Sequence, residues 1–125
     1  MSVKILRCEG CGKIVLEIQG SKCPTKCCGE PMAELVPGTT DGALEKHVPV
    51  IEQEGNCVTV KVGSVAHPML EAHFIQFVVL ETNKEVRLHC FQPGEEPCAV
   101  FALAEGEEVV NAYEYCNLHG YWAAK

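Results

Sequence analysis

Four cysteines near the beginning of the chain constrain its fold more than any other feature. Cys8-x-x-Cys11 is followed by the adjacent pair Cys27-Cys28. Four thiolates complete a tetrahedral site for iron or zinc. A module this short rarely buries enough apolar surface to fold without such a site. The pattern therefore predicts a metal-stabilised module, with short strands at 3–7 and 13–18 joined by a glycine-containing turn.

The second pair of ligands in this module has one alternative. Neighbouring side chains normally diverge, so chelation by both Cys27 and Cys28 is expected to strain the site. Cys23 lies four residues before Cys27 and offers a replacement ligand, although Pro24 beside it favours a thiol outside the site.

Composition places the chain in a reducing compartment and excludes two classes of partner. The chain has nine cysteines. Its first residues lack the apolar core of a signal peptide, and no apolar stretch is long enough to span a membrane. The chain is therefore expected to be cytoplasmic, where clustered cysteines bind metals rather than form disulfides. Ten basic against seventeen acidic residues give a net charge of -7. This balance argues against nucleic acid or an anionic membrane as a partner.

A turn-rich stretch at 36–42 divides the chain into two predicted domains, 1–37 and 38–125. Beyond it, short apolar and branched runs alternate with turn signals, and no long helical pattern interrupts them. The expected strands cover 47–51, 57–63, 72–80, 85–91, 98–103 and 108–115. Strands of this number and spacing predict an all-β protein with an antiparallel β-sandwich.

A second set of potential ligands is dispersed through this sandwich. Cys116 and His119 lie three positions apart, and His47, His67 and His73 add three imidazoles. Four imidazoles and a thiolate are too many for the closed tetrahedral site of structural zinc, but they suit a redox metal with one open position. Prolines near His47 and His67 favour extended backbone that aims these side chains reproducibly.

The remaining histidine and cysteines of the second domain are interpreted as structural. His89 falls inside an ordinary strand run with no turn signal around it, and Cys57, Cys90 and Cys98 are expected to act as small apolar strand residues.

Several segments, in order along nearly the whole chain, resemble the desulfoferrodoxins, the two-iron superoxide reductases. The segments that carry the resemblance are Cys27-Cys28-Gly29-Glu30-Pro31-Met32, Glu45-Lys46-His47-Val48-Pro49-Val50, Gly63-Ser64-Val65-Ala66-His67-Pro68-Met69 and Tyr115-Cys116-Asn117-Leu118-His119-Gly120. The resemblance implies a small desulforedoxin-like domain with an Fe(Cys)4 centre, followed by an immunoglobulin-like β-sandwich with a square-pyramidal Fe(His)4(Cys) centre.

The resemblance also implies a role for each ligand. The first iron takes Cys8, Cys11, Cys27 and Cys28, and the second takes His47, His67, His73 and His119 equatorially with Cys116 axial. Glu45 is implied to occupy the sixth position after oxidation, and Lys46 to lie near that open site. Cys23, Cys57, Cys90 and Cys98 are additional to the family pattern.

The implied activity is the one-electron reduction of superoxide to hydrogen peroxide without release of dioxygen. The implied electron donor is rubredoxin or a similar small carrier, and the implied assembly is a homodimer. Two other hypotheses remain open from the sequence: a non-catalytic iron electron-transfer protein, which needs no open coordination position, and a zinc-stabilised binding module.

Overall fold

The computed structural model of the chain describes residues 1–38 and 44–125, without the side chain of Glu45. The chain forms two compact units, Met1–Val36 and Pro37–Lys125. The predicted turn stretch at 36–42 therefore coincides with the boundary between the units, and its residues 39–42 lie outside the described part.

The first unit consists of short strands with a very small apolar core. Strands β1 (Lys4–Arg7), β2 (Ile14–Glu17) and β5 (Ala33–Glu34) form a sheet in the order β2-β1-β5, and β3 (Lys26–Cys27) pairs with β4 (Glu30–Pro31). Its buried hydrophobic residues are Ile5, Leu6 and Cys8. Because so little apolar surface is buried, this unit depends on something other than the hydrophobic effect for its stability.

The second unit is a sandwich of two antiparallel sheets. After a short helix, α1 (Leu44–His47), one sheet has the order β10-β7-β6 and the other the order β12-β11-β8-β9. The strands are β6 (Pro49–Glu54), β7 (Cys57–Val62), β8 (Ile75–Thr82), β9 (Val86–Cys90), β10 (Cys98–Ala102), β11 (Val109–Cys116) and β12 (Gly120–Ala123). The predicted all-β class and β-sandwich are confirmed.

Period-two alternation decides which side chains enter the core between the sheets. In β7, Val58, Val60 and Val62 are buried, whereas Thr59 and Lys61 are not. Val78 and Leu80 of the facing sheet belong to the same apolar cluster. Because successive side chains in a strand point to opposite faces, this pattern directs one face of β7 inward.

Two predicted strands begin later than expected. The first starts at Pro49 rather than at 47, because Val48 N–H donates to the Leu44 carbonyl (3.0 Å) and leaves His47 in a helical turn. The second starts at Ile75 rather than at 72, because Leu70 and His73 exchange two backbone hydrogen bonds of 2.9 and 3.0 Å in a tight loop. Both differences fall on segments that carry predicted metal ligands.

The short final strand β12 has no strand prediction of its own in the sequence. It pairs with β11 from Tyr113↔Ala123 to Cys116↔Gly120.

Among the described residues, no helix has both the length and the apolar character needed to cross a membrane.

Candidate metal centres

The first unit brings four cysteine thiols together at two turns. Cys8 and Cys11 lie in the turn between β1 and β2, where Gly12 N–H donates to the Cys8 carbonyl and Cys8 N–H donates to the Lys13 carbonyl (both 2.8 Å). Cys27 and Cys28 lie at the turn between β3 and β4. The four sulfur atoms all lie within 4.8 Å of one another, a spacing that suits a tetrahedral tetrathiolate site.

The adjacent cysteines converge because the backbone turns sharply at Cys28. Its φ of 54° lies in the left-handed region, and Gly29 follows with a φ of 79°. Two consecutive positive φ values are typical of a two-residue type I′ turn. The strain expected from neighbouring ligands is therefore located in the backbone at Cys28, where a non-glycine residue adopts a sparsely populated conformation.

Close packing also explains the glycine between the first two ligands. A Cβ atom at Gly10 would lie 3.2 Å from Cys28 Cβ and 3.7 Å from Cys8 Sγ. A side chain here would press on the Cβ of Cys28, so the sequence Cys8-x-Gly10-Cys11 is matched to this turn.

Hydrogen bonds within this group favour the thiolate of Cys8 and oppose those of Cys27 and Cys28. The Cys11 backbone, which hydrogen bonds to the Cys8 sulfur, lowers the pKa of Cys8 to about 6, whereas the hydrogen bond with Cys8 raises the pKa of Cys27 to about 12. Four thiolates so close together require a bound cation to offset their repulsion. The donor set therefore fits a metal ion that binds sulfur.

Four imidazole rings form a closed square in the second unit. Successive ring centroids are 4.7 Å apart for His47 and His67, 4.8 Å for His67 and His73, 5.1 Å for His73 and His119, and 4.8 Å for His119 and His47. One nitrogen each of His47, His67 and His119 and the Cys116 sulfur lie within 4.8 Å of one another. The arrangement places three imidazole nitrogens and a thiol close together, and the His73 ring lies between those of His67 and His119.

The β11–β12 hairpin positions two of these donors. Cys116 ends β11, where the pairing with β8 shifts register between Tyr115 and Cys116, and it pairs directly with Gly120. Gly120 has a φ of 83°, as expected for the glycine that closes a three-residue hairpin loop. This turn brings His119 Nδ1 to 3.9 Å from Cys116 Sγ.

Hydrogen-bond partners indicate which nitrogen of each imidazole is available to a metal. His67 Nδ1 lies 2.6 Å from the Pro68 carbonyl, while its Nε2 is buried with no hydrogen-bond partner among the described residues, as is Nε2 of His73. His47 Nδ1 faces Glu114 instead, at 3.6 Å from Oε1, which leaves Nε2 for the metal. Buried polar atoms are rarely unpartnered, so Nε2 of His67 and Nε2 of His73 fit ligands of a metal ion.

Burial favours the neutral form of three of the imidazoles but opposes ionisation of the Cys116 thiol. It is the largest cause that lowers the pKa of His47, to about 4, and that lowers the pKa values of His67 and His73. A neutral imidazole is the form that binds metal. Burial also raises the pKa of Cys116, against hydrogen bonds from the Leu118 and His119 backbone that lower it, so metal binding releases a proton from this thiol.

Glu114 places a buried carboxyl group beside the imidazole square. It is not among the residues predicted from the sequence. Its side chain is fully buried, burial raises its pKa to about 9, and neither oxygen has a hydrogen-bond partner in the described part of the chain. Its approach to His47 Nδ1 suits the common arrangement in which a carboxylate orients a metal-binding histidine. A period-two signal was available, because Ala112, Glu114 and Cys116 occupy the same inward face of β11.

Asn117 lies between Cys116 and His119 in the sequence, and its side chain joins two segments that carry predicted ligands. Its Oδ1 accepts a hydrogen bond from Phe74 N–H and its Nδ2 donates to the Ala72 carbonyl, both at 3.0 Å. These residues flank His73 on both sides. The side chain of Asn117 therefore fixes the His73 segment against the hairpin that carries Cys116 and His119.

Lys46, Glu45 and His89 are further residues of the second unit with a role predicted from the sequence. Lys46 is exposed in α1, and its charge contributes to the lowered pKa values of His47, His67 and His73, which locates it near the square. The side chain of Glu45 lies outside the described residues. His89, interpreted as structural, stacks edge-on against Phe91 in the sandwich, with ring centroids 4.6 Å apart.

The additional cysteines do not belong to either donor set in the described part of the chain. Cys23 is exposed in a loop of the first unit, where its backbone N–H donates to Ser21 Oγ (3.1 Å). Cys57, Cys90 and Cys98 lie in strands as expected, but Cys57 and Cys90 are exposed at strand ends rather than packed as apolar residues.

Comparisons with known proteins agree with both donor sets. The desulfoferrodoxin family profile matches residues 39–125. A desulfoferrodoxin of Syntrophotalea carbinolica is 46% identical over 123 residues, which cover 98% of this chain and 96% of that protein. The crystal structure of the superoxide reductase from Treponema pallidum is 37% identical, covers 100% of both chains and superposes with a TM-score of 0.83.

A shorter relative matches part of the chain. The superoxide reductase (1Fe-SOR) from Giardia intestinalis is 36% identical and has a TM-score of 0.55, with coverage of 63% of this chain and 94% of that one. The tetrathiolate group and the imidazole–thiolate group of the present chain match the two iron centres of the desulfoferrodoxins. With a profile match over its second unit and a relative that is similar over almost its full length, the chain belongs to the desulfoferrodoxin family.

Proposed function

We propose that this protein is a superoxide reductase that converts superoxide, one electron and two protons into hydrogen peroxide without forming dioxygen. The observation that carries the proposal is the closed square of imidazoles with the buried Cys116 thiol beside it. Superoxide reductases among the similar structures support the same activity. The proposed site of action is a catalytic domain at 38–125, and the proposed compartment is the cytoplasm.

The proposed ligands of the catalytic iron are His47, His67, His73, His119 and Cys116. Iron held by this set supplies the electron that reduces superoxide and regains it from a donor protein. Cys116 is completely buried, whereas Lys46 is exposed. We infer that the buried thiolate would hold the iron from the protein interior and that superoxide would reach the open position from solvent.

Lys46 and Glu45 have separate proposed roles at this open position. The ammonium group of Lys46 attracts the superoxide anion against the repulsion of a chain with a net charge of -7. Glu45, in the same helical turn, is proposed to occupy the open position once the metal is oxidised.

Further parts of the proposal concern the assembly around the reaction. The electron donor is proposed to be rubredoxin or a similar small carrier, and the protein to act as a homodimer. The first domain, proposed at 1–37, holds its iron through Cys8, Cys11, Cys27 and Cys28. A full tetrathiolate set within Met1–Val36 supports this division.

Stopped-flow mixing of the reduced protein with superoxide tests the activity directly. We expect one hydrogen peroxide for each superoxide consumed and no dioxygen at an oxygen electrode. His67→Ala should abolish the fast reaction. His89→Ala is the matched control, because His89 is a histidine of the same sandwich whose ring contacts Phe91.

The products also distinguish the competing activities. Dioxygen released in an amount equal to the peroxide would identify dismutation and contradict reduction. If superoxide does not react with iron that a chemical reductant still reduces reversibly, the electron-transfer alternative is correct.

A further inference from the structure

Trp122 contacts two of the proposed ligands from β12. Its ring lies nearly parallel to that of His47, with centroids 5.2 Å apart and an interplanar angle of 14°. Its indole Nε1–H donates a hydrogen bond of 2.9 Å to the carbonyl of His119. The residue is buried, and it is the only tryptophan in the chain.

These contacts join segments that are distant in sequence. His47 ends α1, whereas His119 lies in the loop between β11 and β12. Trp122 also pairs across the strands with Glu114, whose Oε1 lies 3.6 Å from His47 Nδ1. The His47 ring therefore has the indole plane along one face and a carboxyl group at its outer nitrogen, and both restrict its rotation.

We propose that Trp122 is a positioning residue that holds His47 and His119 in the geometry required for metal binding. A side chain that fixes two ligands in advance reduces the conformational entropy lost when the metal binds. The inference rests on the proposed function only through the assignment of these two histidines as ligands.

Two variants separate the two contacts of the indole. Trp122→Phe keeps an aromatic ring against His47 but removes the N–H donor to His119, and Trp122→Leu removes both contacts. Tyr121→Leu is the matched control, because Tyr121 is a buried aromatic residue of the same strand that stacks on Tyr113 (5.5 Å, 10°).

The primary measurement is the rate at which a chelator removes iron from the second site of the full-length protein loaded with iron. We expect Trp122→Leu to release this iron about 10- to 100-fold faster, as is common when outer-shell partners of a metal ligand are lost. Trp122→Phe should release it about fivefold faster, which corresponds to one hydrogen bond. Tyr121→Leu should lower thermal stability but leave the release rate unchanged.

The absorption and EPR spectra of the oxidised second site provide a readout that packing alone does not change. Trp122→Leu should shift the thiolate-to-iron band and the EPR pattern, whereas Tyr121→Leu should preserve both. If Trp122→Leu loses stability but keeps the wild-type release rate and spectra, Trp122 is only a core residue. If Trp122→Leu does not fold, wild-type release and spectra for Trp122→Phe overturn the role of the hydrogen bond.

These measurements are independent of catalysis. They use no superoxide, so failure of the protein to reduce superoxide would contradict the proposed function but not the positioning role of Trp122.

Discussion

Lys46 is the residue whose charge should be felt most directly by an approaching anion. At an assumed separation of about 6 Å in the dielectric of bulk water, two unit charges attract by about 0.7 kcal/mol, or about threefold in encounter rate. The exposure of Lys46 favours this low estimate. Lys46→Ala should therefore slow the bimolecular reaction of the reduced protein with superoxide by about threefold, as measured by stopped flow.

Salt dependence and a second lysine provide the control for this prediction. Rising ionic strength should slow the wild type, because screening removes a local attraction, and should affect Lys46→Ala less. Lys84→Ala makes the same change in net charge at the turn between β8 and β9. This turn is at the opposite end of β8 from Ile75, the residue that pairs with Cys116. Equal effects of the two substitutions, or a wild-type rate that rises with salt, would show that overall charge governs the approach.

At the residue scale, ligand type was predictable from the sequence but ligand support was not. Where thiols stay reduced, clusters of cysteine and histidine have few roles other than metal binding. Cys8, Cys116 and His47 could therefore be identified as candidate ligands from pattern and resemblance. The support from Glu114 and Trp122 depends on how close each of them lies to His47. For Trp122 this proximity depends on the pairing of β12 with β11, and no local pattern in the sequence predicts β12.

At the scale of elements, the hydrogen bonds of Asn117 connect the loop before β8 to the β11–β12 hairpin. Asn117→Ala removes two hydrogen bonds and leaves the His73 segment held by a backbone contact from Asn117 N–H to the Phe74 carbonyl (3.3 Å). We expect a loss of about 1–3 kcal/mol in the free energy of unfolding. We also expect faster release of iron from the second site to a chelator, because His73 becomes less well positioned.

Asn111, near the start of β11, provides a matched control. Its Oδ1 accepts hydrogen bonds from Ala112 N–H (2.9 Å) and Lys125 N–H (3.1 Å). Asn111→Ala should lower stability without changing iron release. If both asparagine variants release iron at the wild-type rate, the His73 loop does not depend on the Asn117 side chain.

The elements show why strands were easier to predict than the segments between them. In β7 the alternation of valines with polar residues is sufficient to define the strand, because burial on one face requires it. The His47 turn and the 70–73 loop follow instead from backbone hydrogen bonds within a few residues. The sequence pattern predicted strands from 47 and from 72, and these local hydrogen bonds make both strands begin later.

On the scale of the whole molecule, the two compact units each contain a complete donor set, and this arrangement predicts that the first iron can be removed alone. Cys11→Ser replaces a soft thiolate with a poor ligand. Metal analysis should find the second iron retained and the first lost, and the reduced variant should still consume superoxide. Cys23→Ser is the control, because this exposed thiol lies outside the tetrathiolate group and both irons should remain.

The same variant tests whether metal holds the first unit together. Ile5 and Leu6 are the only large buried aliphatic side chains among residues 1–36, and metal binding in modules of this size contributes on the order of 10 kcal/mol to folding. Amide hydrogen exchange in β1 and β2 of Cys11→Ser should therefore approach that of an unfolded chain, while exchange in β8 and β11 stays slow. Slow exchange throughout 4–17 would mean that the unit folds without its metal. Loss of the superoxide reaction with the second iron still bound would mean that the first centre takes part in the chemistry.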